Sequence, residues 1–297
     1  MFTGKKGRPY CVYNVPMNRI RELFGWTRHS SYLLSAFVLT CALIVYVWWP
    51  LVAEYLSYMD GRYPWYFYVD WLLLGIFVFM SLTIMARADL KVDGLIIIVG
   101  LCGGLVIESW GTQTNLWHYY TAERPPLWII PAWPIASLSI DRMTRMLNSF
   151  TTKVTKEHKG KPFVIFVKKM LYWLTFGGFY ILMVWFVAPT LDKPYTIGAL
   201  IICALMILTP TDQRAALLTF VAGAGLGYFL EVWGTTRECW TYYTGETPPL
   251  FAVLAHGMAA VAFWRAGLLA QKLWMKLGAV PFFAHGNPDF LKSSKRK

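Results

Sequence analysis

The stretch Glu108-Ser-Trp-Gly-Thr-Gln-Thr-Asn-Leu-Trp-His-Tyr-Tyr-Thr-Ala-Glu-Arg-Pro-Pro-Leu127 recurs without a gap as Glu231-Val-Trp-Gly-Thr-Thr-Arg-Glu-Cys-Trp-Thr-Tyr-Tyr-Thr-Gly-Glu-Thr-Pro-Pro-Leu250. The offset is 123 residues (231 less 108), and 12 of the 20 positions are identical. Self-similarity of this kind reads as a tandem duplication. The correspondence reaches beyond the motif. Asp89 matches Asp212, Lys91 matches Arg214, and Arg142 matches Arg265. Gly100 and Gly104 match Gly223 and Gly227, which gives each motif-bearing helix a small-xxx-small face that admits a close neighbour.

The sequence around the repeat is that of a membrane protein. Apolar residues make up 57%, aromatics 17%, and mean hydropathy is +0.44. A helix that crosses ~30 Å of hydrocarbon needs roughly 20 mostly apolar residues. Eight stretches qualify as expected spans: 32–56, 66–86, 94–110, 127–146, 164–188, 195–210, 215–233 and 249–270. The third and sixth are short, and Pro131 and Pro134 interrupt the fourth. The expected fold is therefore all-α and polytopic, with about eight transmembrane helices arranged as two tandem four-helix repeats. The expected units are a basic N-terminal segment 1–31, a first repeat 32–146, a basic linker 147–163, a second repeat 164–270 and a basic tail 271–297. Four spans per unit return the chain to its starting side, so the repeats are parallel and both motifs lie on one face.

Charge sets the expected orientation. Of 28 Lys and Arg, four (Arg62, Arg124, Lys193 and Arg237) fall on one side of this trace and the other 24 on the opposite side. The positive-inside rule makes the rich side cytoplasmic, with both termini there and the motifs facing outward. A bacterial inner membrane fits. The polar, basic first 30 residues do not resemble a cleavable signal peptide. The net charge of +12 thus follows from topology, and no nucleic-acid-binding module accompanies it. The five cysteines form no CxxC pair and only Cys239 falls on the outer side, so no disulfide framework is expected.

Glu108 and Glu231 fall in the last turn of their helices, near the hydrocarbon boundary. Desolvation and the negative end of the helix dipole both disfavour a charged carboxylate there, so a neutral acid able to give a proton is one reading. The other is structural: the carboxylate accepts bonds from loop amides around Gly111-Thr112 or Gly234-Thr235. Survival of both copies favours the structural reading. Trp110, Trp117, Tyr119 and Tyr120, with Trp233, Trp240, Tyr242 and Tyr243, read either as an interfacial belt or as an aromatic lining beside the acid. With Thr112 and Thr235 they form the candidate substrate-binding set. His256, two turns into the last span, aligns with Trp133 and reads as a proton-relay partner for Glu231 or as a hydrogen-bonded core histidine. Gly111 and Gly234 are expected to ease the helix exit, and Glu123 and Glu246 to complement the next helix dipole. Glu54 and Asp70 belong to the first half alone. Glu108, His118, Glu231 and His256 lack a metal-ligand spacing, so neither metal nor cofactor is called for.

The progression Glu108-x-x-Gly111-x-x-Thr114, Tyr119-Tyr120-Thr121, Pro126-Leu127 and Ile130-Pro131 resembles the signature of polytopic carotenoid 1,2-hydratases of the bacterioruberin and myxoxanthophyll pathways. The resemblance is confined to this motif in each half, and it departs from the pattern at Asn115, Trp117-His118 and Arg237. It implies protonation of an isoprenoid double bond and addition of water, with Glu108 or Glu231 as the acid and ring faces beside the cation. Three classes stay open. The first is an enzyme binding or modifying an isoprenoid-type lipid. The second is a non-catalytic subunit that packs against partner helices and holds lipid, carotenoid or quinone. The third, a transporter, is weakened because polar groups gather at one edge, away from the midplane.

Overall fold

The computed structural model describes residues 25–155 and 162–276. The segment up to residue 24, residues 156–161 of the expected linker, the tail beyond 276 and Cys11 lie outside the described residues. The chain runs through α1 (Arg28–Val47), α2 (Trp49–Ser57), α3 (Trp71–Met85), α4 (Leu90–Gln113), β1 (Trp117–Tyr119), α5 (Ala132–Thr155), α6 (Pro162–Val187), α7 (Pro194–Leu208), α8 (Gln213–Thr236), β2 (Trp240–Tyr242) and α9 (Leu250–Lys276). Short 3-10 turns occupy Trp65–Tyr68 and Ala188–Thr190.

Local chemistry sets these boundaries. Asp89 and Asp212 cap α4 and α8, their carboxylates accepting from the amides of Lys91 and of Arg214 and Ala215. Asp70 caps α3 through the Leu73 amide. Pro50 and Pro194 lie in the first turns of α2 and α7, where the missing N–H is no loss. Pro134 likewise falls in the first turn of α5, so the prolines start this helix at Ala132 instead of interrupting a span that begins at 127. The helix expected at 66–86 begins only at Trp71, after a 3-10 turn, and the one expected to be short at 94–110 extends to 24 residues.

Among the described residues, five helices are long and apolar enough to cross a membrane: Arg28–Val47, Leu90–Gln113, Ile165–Thr190, Gln213–Thr236 and Leu250–Lys276. Helices α3 and α7 are apolar but have 15 residues each, about 22 Å of helix at ~1.5 Å per residue. Helix α5 carries Asp141, Arg142 and Arg145 along its length. Leu39, Val106, Leu174, Ile181 and Leu208 stand outward and mostly exposed, a surface suited to hydrocarbon.

The helices from the two halves of the sequence interlock. α8 packs along α9, and α4 along α5, while α5 also lies on α8 and α9 on α4. Glycines permit the approach. A methyl on Gly223 would meet the His256 carbonyl at 2.7 Å, one on Gly257 the Phe220 carbonyl at 2.6 Å, and one on Gly100 the Pro134 Cα at 3.0 Å. At the opposite end from the motifs, Arg142 of α5 bonds Asp93 of α4 at 2.7 Å, both nearly buried. The aligned Arg265 instead donates to the Met206 carbonyl and to Thr209, because Ala216 stands where Asp93 would be.

One element departs from the expected all-α reading. β1 and β2, the centres of the two motifs, pair as an antiparallel ribbon with Trp117 opposite Tyr242, His118 opposite Thr241 and Tyr119 opposite Trp240. Flanking bonds from Tyr120 N to the Cys239 carbonyl and from Tyr243 N to the Leu116 carbonyl extend it. The ribbon brings both motifs to one end of the bundle.

Candidate functional site

Each helix runs five residues past its glutamate, to Gln113 and Thr236, so the acids lie before the last turn expected for them, and each is 3% exposed. Glu108 Oε2 accepts from Trp117 Nε1 at 3.1 Å. Its Oε1 accepts from the Tyr119 hydroxyl at 2.9 Å and from Trp133 Nε1 at 3.1 Å. Glu231 repeats the arrangement. Its Oε2 accepts from Trp240 Nε1 at 2.9 Å, its Oε1 from the Tyr242 hydroxyl at 2.9 Å, and His256 Nε2 lies 2.8 Å from the same Oε1. The expected loop-amide partners are therefore replaced by side chains of the ribbon and the returning helix. Bonds to a charged group are each worth about 1.5–3 kcal/mol net, which a buried carboxylate needs.

Glycine makes this fit. A methyl on Gly111 would sit 1.8 Å from Trp117 Cη2, and one on Gly234 1.9 Å from Trp240 Cη2. Both glycines lie inside their helices, so they seat an indole and do not serve as helix exits. Two turns earlier, Gly104 lies under Trp133 and Gly227 under His256, with clashes of 2.3 and 2.4 Å for an added methyl. The ribbon then interleaves the two sets of rings: Trp117 meets Tyr242 at 6.0 Å and Tyr119 meets Trp240 at 5.9 Å between centroids. Trp133 stacks on His256 at 6.0 Å and 20°.

The other residues singled out in the sequence have different surroundings. Trp110 Nε1 donates to Thr196 at 3.2 Å, and Trp233 Nε1 donates to Asp70 at 2.9 Å. Asp70 also pairs with Arg237 at 3.1 Å, so a residue unique to the first half serves the second motif. Thr112 and Thr235 turn back to the carbonyls of Glu108 and Glu231. Tyr120 and Tyr243 are half-exposed, and the Tyr243 hydroxyl donates to the Phe186 carbonyl. His118 is exposed on the ribbon, and Glu54 is exposed and accepts from Tyr58. Glu123 and Glu246 fall outside the first turns of α5 and α9. Cys239 takes the place of Leu116 as a small buried side chain, and burial pushes its thiol up to about 12. Cys41, Cys102, Cys203 and Cys239 are free thiols.

Trp133 is the site residue that the sequence reading passed over. Its alignment with His256 at the 123-residue offset was the available signal. Trp48, which stacks on Trp233 at 5.6 Å, was also passed over and carries no such signal.

A cleft of about 1560 Å³ reaches this constellation, larger than the ~300–1,000 Å³ of most small-molecule sites. Its wall is apolar apart from a few groups, among them Glu108, Glu231, His256 and Asp70. Trp117, Tyr119, Trp240, Tyr242, Trp110 and Trp233 share the wall, whereas Thr112, Thr235, Tyr120 and Tyr243 do not. Among the described residues, no group of three or more His, Cys, Asp or Glu is placed to hold a metal ion. No protein-family model, curated protein or solved structure matches this chain.

Proposed function

We propose that this chain is a polytopic membrane protein that holds an isoprenoid-type lipid in its cleft and adds a proton to one of its double bonds. The observation that carries the reading is the meeting of two glutamates, an imidazole and five hydrogen-bonded rings on the wall of an apolar cleft. An elongated hydrocarbon gains by burial along such a wall, and Glu108, Glu231 and His256 meet it together. In the step proposed, an acidic proton passes to one alkene carbon and leaves a tertiary cation on the other. Ring faces and the carboxylates sit beside that cation. Water then adds, and its surplus proton returns to the site, so the net change is the alkene plus one water. The resemblance to carotenoid hydratases supports this chemistry.

The accompanying topology is eight crossings as two parallel four-helix repeats in a bacterial inner membrane. In it the termini lie inside and the ribbon lies outside. The charge asymmetry of 24 against four supports it. Lipid extracts of cells with and without the protein, compared by mass spectrometry, test the activity. Expression should yield an isoprenoid heavier by one water, and Glu231→Gln should abolish it. An unchanged lipid profile in both strains sinks the reading.

A second reading, a non-catalytic subunit of a larger membrane complex, is favoured by one observation. Helix α2 buries none of its residues, and Trp65, Phe67 and Trp71 beyond it are exposed. Stoichiometric copurification with other membrane proteins after gentle solubilisation, without any lipid product, would favour that reading.

A further inference from the structure

We infer that the two copies of the motif divide the work: proton exchange belongs to the Glu231–His256 pair alone, and Glu108 is a fixed acceptor that positions its neighbours. This deepens the lipid reading above by assigning the acid–base step to one half, while the exchange itself is measurable without any lipid.

The two sites differ in one partner. Both carboxylates accept from a ribbon tryptophan and a ribbon tyrosine. The third partner is Trp133 for Glu108 and His256 for Glu231. An indole N–H only donates, and a tyrosine hydroxyl keeps its proton to about pH 10. Glu108 therefore has no partner that takes or gives a proton near neutrality. Imidazole titrates near ~6.5 when unperturbed and both donates and accepts. At the 2.8 Å contact one proton can pass between Glu231 Oε1 and His256 Nε2, with an O–H bond broken as an N–H bond forms, or the reverse.

Geometry does not distinguish the halves, because the same seat carries either ring. Gly104 underlies Trp133 as Gly227 underlies His256. The two rings then lie nearly parallel and offset, at 6.0 Å and 20°, so the first half's indole restricts the plane of the second half's imidazole and favours Nε2 aimed at Glu231. Trp133 is thus a positioning residue for both carboxylates, bonded to one and stacked on the partner of the other. The titratable groups around His256 are Glu231 of α8, Glu108 of α4 beyond the indole, and the Tyr242 and Tyr119 hydroxyls bonded to those acids. From α6, Phe179 and Met183 line the cleft without charge. In the lipid reaction the pair supplies the proton that goes to the alkene carbon and regains one from the added water, so the site ends as it began.

The test is a pH titration of the purified, membrane-reconstituted protein by infrared difference spectroscopy, which reads carboxyl and imidazole bands directly. Wild type should show one transition in which carboxyl and imidazole bands change together. Glu108→Gln should keep it, and Glu231→Gln should lose it. His256→Gln keeps a donor for Glu231 but cannot exchange protons, so it should lose the transition while melting near wild type. His256→Trp copies the first site and serves if His256→Gln fails to fold. Trp133→His should add a second transition. The inference is overturned if wild type shows no coupled transition, if Glu108→Gln removes it, or if His256→Gln leaves it in place. Absence of a lipid product with the spectra as expected would sink the lipid reading and leave this one standing.

Discussion

At the scale of single residues, the depth of each site is set by an atom that is absent. Trp117 and Trp240 reach their glutamates only because Gly111 and Gly234 have no side chain. Gly111→Ala and Gly234→Ala place a methyl within 2 Å of an indole (1.8 and 1.9 Å), which backbone helicity does not relieve. Overpacking of this kind costs about 1–3 kcal/mol. Expelling the indole also forfeits a bond to a charged group, worth ~1.5–3 kcal/mol. Both variants should therefore melt well below wild type in detergent. Gly225→Ala on the same helix meets nothing within 4 Å and should be neutral or stabilising by about 0.4–1 kcal/mol. Equal melting of all three would refute the seating role. The distances that recur at an offset of 123 single out both acids and the ribbon rings that bond to them, but not Trp133. They do not identify what the acids accept, since loop amides and folded-back rings give the same spacing. The choice between them lies in van der Waals room at glycine, which no sequence pattern reports.

At the scale of helices, the end of the bundle away from the ribbon is held differently in the two halves. Asp93 accepts from Arg142 and from its own helix's Asp89 amide at 2.9 Å, and Arg142 also donates to the Ala86 carbonyl. This ties α4, α5 and the α3–α4 turn at one point. The second half has Ala216 and lets Arg265 bond to α7 instead. Removing one partner of a buried pair leaves the other uncompensated and costs about 3–5 kcal/mol, whereas replacing both by apolar groups is often neutral. Asp93→Ala should lower the melting temperature steeply, and Asp93→Ala with Arg142→Met should recover most of the loss. If single and double variants melt alike, the pair contributes nothing beyond its packing. Helix ends were the least legible part of the sequence. The aromatic run Trp65–Tyr68 has the apolarity of a span, but Asp70 caps the helix five residues later than composition suggests. The prolines of α5 looked like breakers, yet Pro134 falls in the one turn where they are harmless.

At the scale of the whole molecule, the ribbon decides how the halves relate. Its Trp-x-Tyr alternation is a strand signal, but three residues fall below the ~4–8 over which such alternation can be weighed. The pairing partner is also 123 residues away. The sequence therefore implied that both motifs share a face, while the link between them emerged only from the fold. With β1 hydrogen-bonded to β2, the loops at Glu123 and Glu246 must lie on the same side of any membrane the helices cross. Ser149 of α5 and Lys272 of α9 lie near the opposite helix ends and are exposed. Single cysteines at these four positions, in a background without the five native cysteines, distinguish the arrangements. In intact cells a membrane-impermeant maleimide should label positions 123 and 246 together, and positions 149 and 272 only after permeabilisation. Reversed labelling would overturn the proposed orientation but leave the ribbon and the site intact. Labelling of 123 without 246 would break the parallel arrangement itself, because antiparallel pairing of β1 with β2 cannot span the bilayer. The acids would then face different compartments, and a shared cleft would be untenable.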